Sequence, residues 1–279
     1  MFSQSIIMDL NTIKEVTRPK ARSELTGWRD GDAFLGGGTW LFSEPQPKLT
    51  RLVDLTTLGW EPLIASAEGL EMAATCTVAQ LDALTPPVEW TAAPLIGQCC
   101  RAFLASFKIW NAATVGGNIC MSLPAGPMIS LTAALDGEAL LWAPDGSESR
   151  VSIVEFVKAP LSNALKDGEL MRSIFLPASA LTARTAFRQV SLANHGRSGA
   201  LVIGRLKPNG AFALTITAST PRPIQLTFDA LPSIDALHTR IEETVNAWYD
   251  DIHGLPAWRR HMTLHFAHEI LAELSEGGR

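Results

Sequence analysis

Charge is scarce in this chain. Asp, Glu, Lys and Arg make up 18% of its 279 residues, against roughly 25% in an average soluble protein, while hydrophobic residues reach 47%. That balance excludes general disorder and leaves two explanations for the missing charge, a thick core or surface covered by other subunits. Basic runs are missing too: the longest is the pair Arg259-Arg260, and 23 basic against 28 acidic residues give a net charge of −5. Such a surface repels phosphate backbones, which excludes nucleic acid as a natural partner. No uninterrupted apolar stretch approaches the ~20 residues of a membrane-spanning helix. Met1 to Asp30 holds no basic segment followed by an apolar block, so the chain reads as soluble and cytoplasmic.

Cysteine is equally sparse. Cys76, Cys99, Cys100 and Cys120 offer neither a CxxC pair nor the four-thiolate spacing of an iron–sulfur cluster, so they read as buried free thiols. Any redox centre in this chain must then be an organic cofactor. His261, His265 and His268 fall at i, i+4 and i+7 and would share one helix face. No HExxH pattern accompanies them, and a polar helical stripe is the plainer reading than a metal site.

What is present is a succession of short elements. Ile7, Leu10, Ile13 and Val16 suggest a strand followed by a helix. Ala33-Phe34-Leu35 and Arg51-Leu52-Val53-Asp54-Leu55 read as strands of a small βαββ unit. Gly69 to Ala74 reads as a strand, Thr77 caps a helix, and Leu95, Ile96, Cys99 and Phe103 recur at helical spacing between Ala92 and Phe107. A helix is expected over Pro127–Leu135, then strands over Glu138–Trp142 and Arg150–Ile153 joined by Pro144-Asp145-Gly146. Beyond Pro177, Thr185–Ser191, Ala200–Leu206 and Phe212–Ala218 form an expected three-stranded antiparallel meander. Helices over Ile234–Trp248 and Pro256–Leu274 close the chain.

Two glycine-rich segments interrupt this pattern. Gly36-Gly37-Gly38-Thr39 follows a strand directly, and each glycine there costs roughly 0.5–1 kcal/mol in chain entropy relative to alanine unless the backbone needs positive φ or a close approach. About 80 residues later comes a second glycine turn, Thr114-Val115-Gly116-Gly117-Asn118-Ile119. GxGxxG and Walker A fingerprints are both absent. Bare amides can form a nest for a diphosphate, and two nests could grip one diphosphate from two sides. Taken singly, each segment reads more plainly as a tight turn, and the presence of two strengthens the diphosphate reading.

Gly36 to Leu41 resembles the first flavin loop, commonly A-G-G-T-x-L, of the FAD subunits of molybdenum hydroxylases, the xanthine dehydrogenase and carbon monoxide dehydrogenase family. Ala113 to Ile119 is similar to that family's second loop, T-[IV]-G-G-N-[IL]. Further landmarks follow in order: Leu131–Asp136, Val151–Phe156, Asp167–Leu170 leading to Ile174–Pro177, Phe187–Ser191 and Leu255–His261, so the resemblance covers nearly the whole chain. It implies an α+β, PCMH-type FAD-binding fold. A small N-terminal αβ lobe (1–57) and a β-rich middle lobe (58–177) would bind FAD between them, ahead of a C-terminal domain (178–279) of three antiparallel strands and helices.

By the same resemblance, the pyrophosphate would lie against the backbone amides of Gly36, Gly37, Gly38, Thr39, Trp40 and Leu41, and against those of Thr114, Val115, Gly116, Gly117 and Asn118. The Thr39 and Thr114 hydroxyls would be extra donors. Leu170 would also sit at the cofactor, and Arg188 takes the place of a basic residue near the flavin, where a cation supports the reduced, anionic ring. The molybdenum–pterin centre and the [2Fe–2S] clusters would be on partners, a large and a small subunit, in a heterotrimer or a dimer of heterotrimers.

Three positions depart from the family pattern. Pro127 stands where relatives carry an aspartate that contacts the adenosine end of FAD. Losing such a charge-assisted hydrogen bond, worth ~1.5–3 kcal/mol, would weaken binding by roughly one to two powers of ten. Trp110 and Trp40 are unusual in and near the loops; each either stacks on a ring of the cofactor or fills core, with core the plainer reading. Two rival readings follow: a scaffold subunit that has lost FAD, and a free-standing flavoprotein oxidase with its own catalytic base or covalent flavin link.

Overall fold

The computed structural model describes residues 10–276. Leu10 to Val16 contribute a strand, Glu15–Thr17, but no helix follows it; a one-turn 3-10 helix, Arg22–Glu24, stands there instead. Pro19 accounts for the difference, because the residue before a proline is driven out of the helical region. Ile7 lies outside the described residues. Glu15–Thr17, Arg51–Asp54 and Asp32–Leu35 form one parallel sheet with Arg51–Asp54 in the centre. The buried Arg51–Asp32 ion pair ties two of these strands together, and its hydrogen bond to Arg51 holds the Asp32 carboxyl below the usual carboxylate range.

The middle of the chain is a five-stranded antiparallel sheet in the order Leu63–Ser66, Gly69–Ala73, Leu170–Pro177, Glu138–Trp142 and Glu148–Ser152. Its helices include Val78–Asp82, opened by a complete capping box between Thr77 and Gln80, and Ala93–Ala102. Helix Pro127–Ala134 is buried at every position, since it packs against Ala93–Ala102 and other helices of this lobe and against strands Ala200–Leu206 and Phe212–Thr217 of the next sheet.

The C-terminal sheet has four antiparallel strands rather than three. To Arg184–Val190, Ala200–Leu206 and Phe212–Thr217 it adds Ile224–Phe228. The prolines at 221 and 223 and the polar Gln225 and Thr227 hide that edge strand from a hydrophobic pattern. Alternation along the strands joins the lobes: Leu201 and Ile203 enter the middle core, whereas Ala200 and Val202 pack with Leu237, Ile241 and Ile270 of the final helices. Those helices span Ile234–Thr244 and Pro256–Glu276. The first stops short of Trp248 because Val245 adopts extended angles while keeping its side chain in the core.

Candidate FAD cleft

Strand Asp32–Leu35 delivers the chain into the segment Gly36–Leu41, which turns back along the edge of the middle lobe. Its glycines have distinct causes. Gly38 adopts φ +69, in the left-handed region. A Cβ at Gly37 would overlap the backbone carbonyl oxygen of Ala112, and one at Gly36 would come within 3.1 Å of Thr114 Oγ1. The first glycine segment is therefore packed against the start of the second. Among the described residues, the N–H groups of Gly36 through Leu41 donate to no protein acceptor; the segment accepts at Gly38 O and Trp40 O from Phe42 and Ser43. Six successive amides without protein partners in a half-buried segment need an outside acceptor.

The second segment is built differently. It is the start of helix Val115–Cys120, with Thr114 as N-cap, so the expected glycine turn is helical. Val115 N–H donates to Cys76 O (2.8 Å) and Gly116 N–H to Ala74 O (3.0 Å), which docks the segment on the end of strand Gly69–Ala73. Gly117 N–H donates to Thr114 Oγ1 at 3.0 Å, and Asn118 N–H to Thr114 O at 2.9 Å. Gly116 is required because a side chain there would meet Ala74. What this segment turns toward the cleft is the Thr114 hydroxyl, Gly117 and the Asn118 amide, whose Oδ1 accepts from Met128 N–H at 3.1 Å.

Between these segments opens a cleft of about 490 Å³, within the range of cofactor sites. Gly36 to Leu41 form one wall, and Thr114, Gly117, Asn118, Cys120 and Pro124 to Pro127 another. Leu104 and Ile109 add apolar surface. The far wall comes from the C-terminal domain: Arg197, Ser198, Tyr249, Asp251, His253 and Arg259. These residues were not legible beforehand, for they are scattered over 63 positions of sequence and carry no motif.

Arg259 is almost wholly buried and fully engaged. It donates from Nε to Gly254 O (2.9 Å), from Nη1 to Gly199 O (2.9 Å) and Ala218 O, and from Nη2 to Asp251. Burial pushes the Cys120 thiol up to about 12, so it is protonated at neutral pH and a poor nucleophile.

Not every residue implied by the resemblance reaches this cleft. Val115 and Gly116 are buried behind it. Leu170 lines a second cavity, between Trp28 and Trp142. Arg188 points away. Its Nε donates to Glu269 (2.7 Å) and its Nη2 pairs with Glu273 (2.8 Å), both on the last helix. Burial opposes its charge, but those two carboxylates outweigh burial and raise its pKa. Trp110 serves structure, since its Nε1 donates to Phe103 O at 2.9 Å, whereas Trp40 and Pro127 do line the cleft. His261 and His265 stack ring on ring 6.4 Å apart, and His265 reaches Glu269 at 3.2 Å. Among the described residues, no group of three or more His, Cys, Asp or Glu converges as a metal site requires.

The family model for the FAD binding domain in molybdopterin dehydrogenase matches residues 9–179. The chain belongs to this family. Its PCMH-type fold is that of solved relatives. A quinoline 2-oxidoreductase chain from Pseudomonas putida 86 superposes with a TM-score of 0.74 at 18% identity, covering 94% of this chain and 96% of that one. A carbon monoxide dehydrogenase chain from Oligotropha carboxidovorans gives 0.78 at 20% identity, covering 93% and 96%. One from Hydrogenophaga pseudoflava gives 0.77 at 17% identity, with the same coverage. A comparison with curated protein sequences finds no match. The cofactor of this domain is FAD, and the open amides of Gly36 to Leu41 together with an apolar cleft suit its diphosphate and rings.

Proposed function

We propose that this FAD domain is the flavin subunit of a heterotrimeric molybdenum hydroxylase, accepting electrons from the [2Fe–2S] clusters of a small partner and passing them to an external acceptor. The observation that carries this reading is the row of unpartnered amides from Gly36 to Leu41 at the edge of a cleft closed by the C-terminal domain. Bound there, FAD supplies two-electron chemistry. The protein's part is to hold the diphosphate on those amides, with the Thr39 and Thr114 hydroxyls beside them, and to fix the rings between apolar and C-terminal walls. The lobes would divide at 1–57, 58–177 and 178–279, the last contributing the far wall.

Partners of two kinds complete the assignment. They are a molybdopterin subunit and an iron–sulfur subunit, in our reading arranged as a dimer of heterotrimers; the likeness to chains named as Cu,Mo-CO dehydrogenase and quinoline 2-oxidoreductase supports a molybdenum-bearing partner. Among the described residues the chain's own thiols join no group of three or more metal ligands, and burial raises each of them, to about 12 in Cys76 and Cys100, which suits clusters placed elsewhere. Among the described residues no helix is long and apolar enough to cross a membrane, and we place the complex in the cytoplasm. A covalent flavin link through Cys120 is disfavoured by its protonated thiol, which argues against a free-standing oxidase with that attachment.

Purification of the full chain and titration with FAD tests the reading. A stoichiometric flavin spectrum that persists through gel filtration supports it, and co-purification with an iron–sulfur and a molybdopterin chain completes it. A folded chain that takes up no FAD at micromolar concentration would instead be a scaffold subunit.

A further inference from the structure

A cleft that holds a redox flavin should face it with a cation, because oxidised FAD gains two electrons and one proton on reduction to its anionic form, a net gain of one negative charge. Resemblance assigns that cation to Arg188. In the structure, period-2 alternation along strand Arg184–Val190 sends Phe187 to the middle core and turns Arg188 to the last helix, where Glu269 and Glu273 neutralise it. Two other arginines line the cleft. Arg259 is matched by Asp251, and its remaining bonds go to three backbone carbonyls. Arg197 has no carboxylate within ion-pair distance among the described residues.

The backbone that carries Arg197 is anchored although its side chain is exposed. Ser198 is buried, and its Oγ accepts from Gln189 Nε2 at 2.8 Å. Gly199 N–H donates to Val190 O at 2.8 Å, and Gly199 O accepts from the buried Arg259. A side chain at Gly199 would collide with the Trp258 ring, which packs against it. The turn is thus clamped from both sides immediately after Arg197, which places this residue, with its side chain free, in the C-terminal wall of the cleft.

We propose that Arg197, not Arg188, is the cation that faces the bound flavin and favours its reduced, anionic form, with Arg259 positioning the turn that presents it. This rests on the FAD reading above. The test is the midpoint potential of the FAD-loaded full chain, measured by dye equilibration, together with the affinity for oxidised FAD. Arg197→Gln should lower the reduced-to-oxidised affinity ratio about tenfold, which is about 30 mV in a two-electron potential. The loss should shrink in high salt, because an exposed charge is screened. Arg197→Lys should restore most of it. Arg188→Gln should leave the potential in place and lower the melting temperature through the lost Glu269 and Glu273 pairs. A potential that follows Arg188 instead, or one that neither substitution moves, overturns the assignment. A wild-type chain that binds no FAD fails the reading beneath it, and the proposal falls with that reading.

Discussion

The two glycine segments look alike in sequence and do opposite work in the fold. In Gly36–Leu41 the glycines bring the chain close to Ala112 and Thr114 and leave six amides without a protein acceptor. In Thr114–Asn118 the amides of Val115, Gly116, Gly117 and Asn118 are all taken, by Cys76, Ala74 and Thr114. One segment is open toward a ligand, and the other is the platform that holds it. A glycine pair is therefore no measure of ligand contact by itself. What decides is where the N–H groups are already spent.

The largest expected effect comes from breaking the seam between the segments. Gly37→Ala places a methyl on the Ala112 carbonyl, so the first segment must lift away. FAD affinity should fall at least about a hundredfold, equivalent to ~2.7 kcal/mol, in a fluorescence-quenching titration. Gly116→Ala attacks the platform instead. Its side chain meets Ala74, and overpacking of this kind costs about 1–3 kcal/mol, so denaturant unfolding should shift while the folded fraction loses less FAD affinity than Gly37→Ala does. Equal losses of affinity in both variants would erase the distinction.

Smaller changes sharpen the same contrast. Thr114→Val removes the cap that receives Gly117 N–H and should cost about 1 kcal/mol of stability in urea melts, with Thr114→Ser close to wild type. Last, Cys76 lies under the platform with its carbonyl bonded to Val115, and burial lifts its thiol to about 12. Iodoacetamide at pH 8 should leave it unlabelled in the folded chain and label it fully after denaturation. Rapid labelling of the native protein would show that the platform opens.

Much of the fold was legible because its cues are local. The Thr77 cap, the Pro127 start and the strand Ala200–Leu206 act over a few residues, and each stands where the sequence puts it; the structure adds Gln80 to the cap as a full capping box. The fourth C-terminal strand is not legible in sequence because its prolines and polar residues suit an edge and mimic a loop. At the site, sequence located the segments but could not divide their labour, since hydrogen bonds from Val115 and Gly116 run to residues 39 and 42 positions away. Nor could it foresee the far wall, where Arg197, Tyr249 and His253 meet only through the docking of the last helix by Arg259. The low charge fraction also has a partial answer: helix Pro127–Ala134 and the strands against it form a core buried on both faces.

Amide hydrogen exchange, with and without saturating FAD, tests the central claim most directly. If the first segment holds the diphosphate, amides from Gly37 to Leu41 exchange fast in the free chain and become strongly protected on binding. Those of Val115 to Asn118 are protected already and change little. Protection gained at Val115 to Asn118 with none at Gly37 to Leu41 would contradict the account.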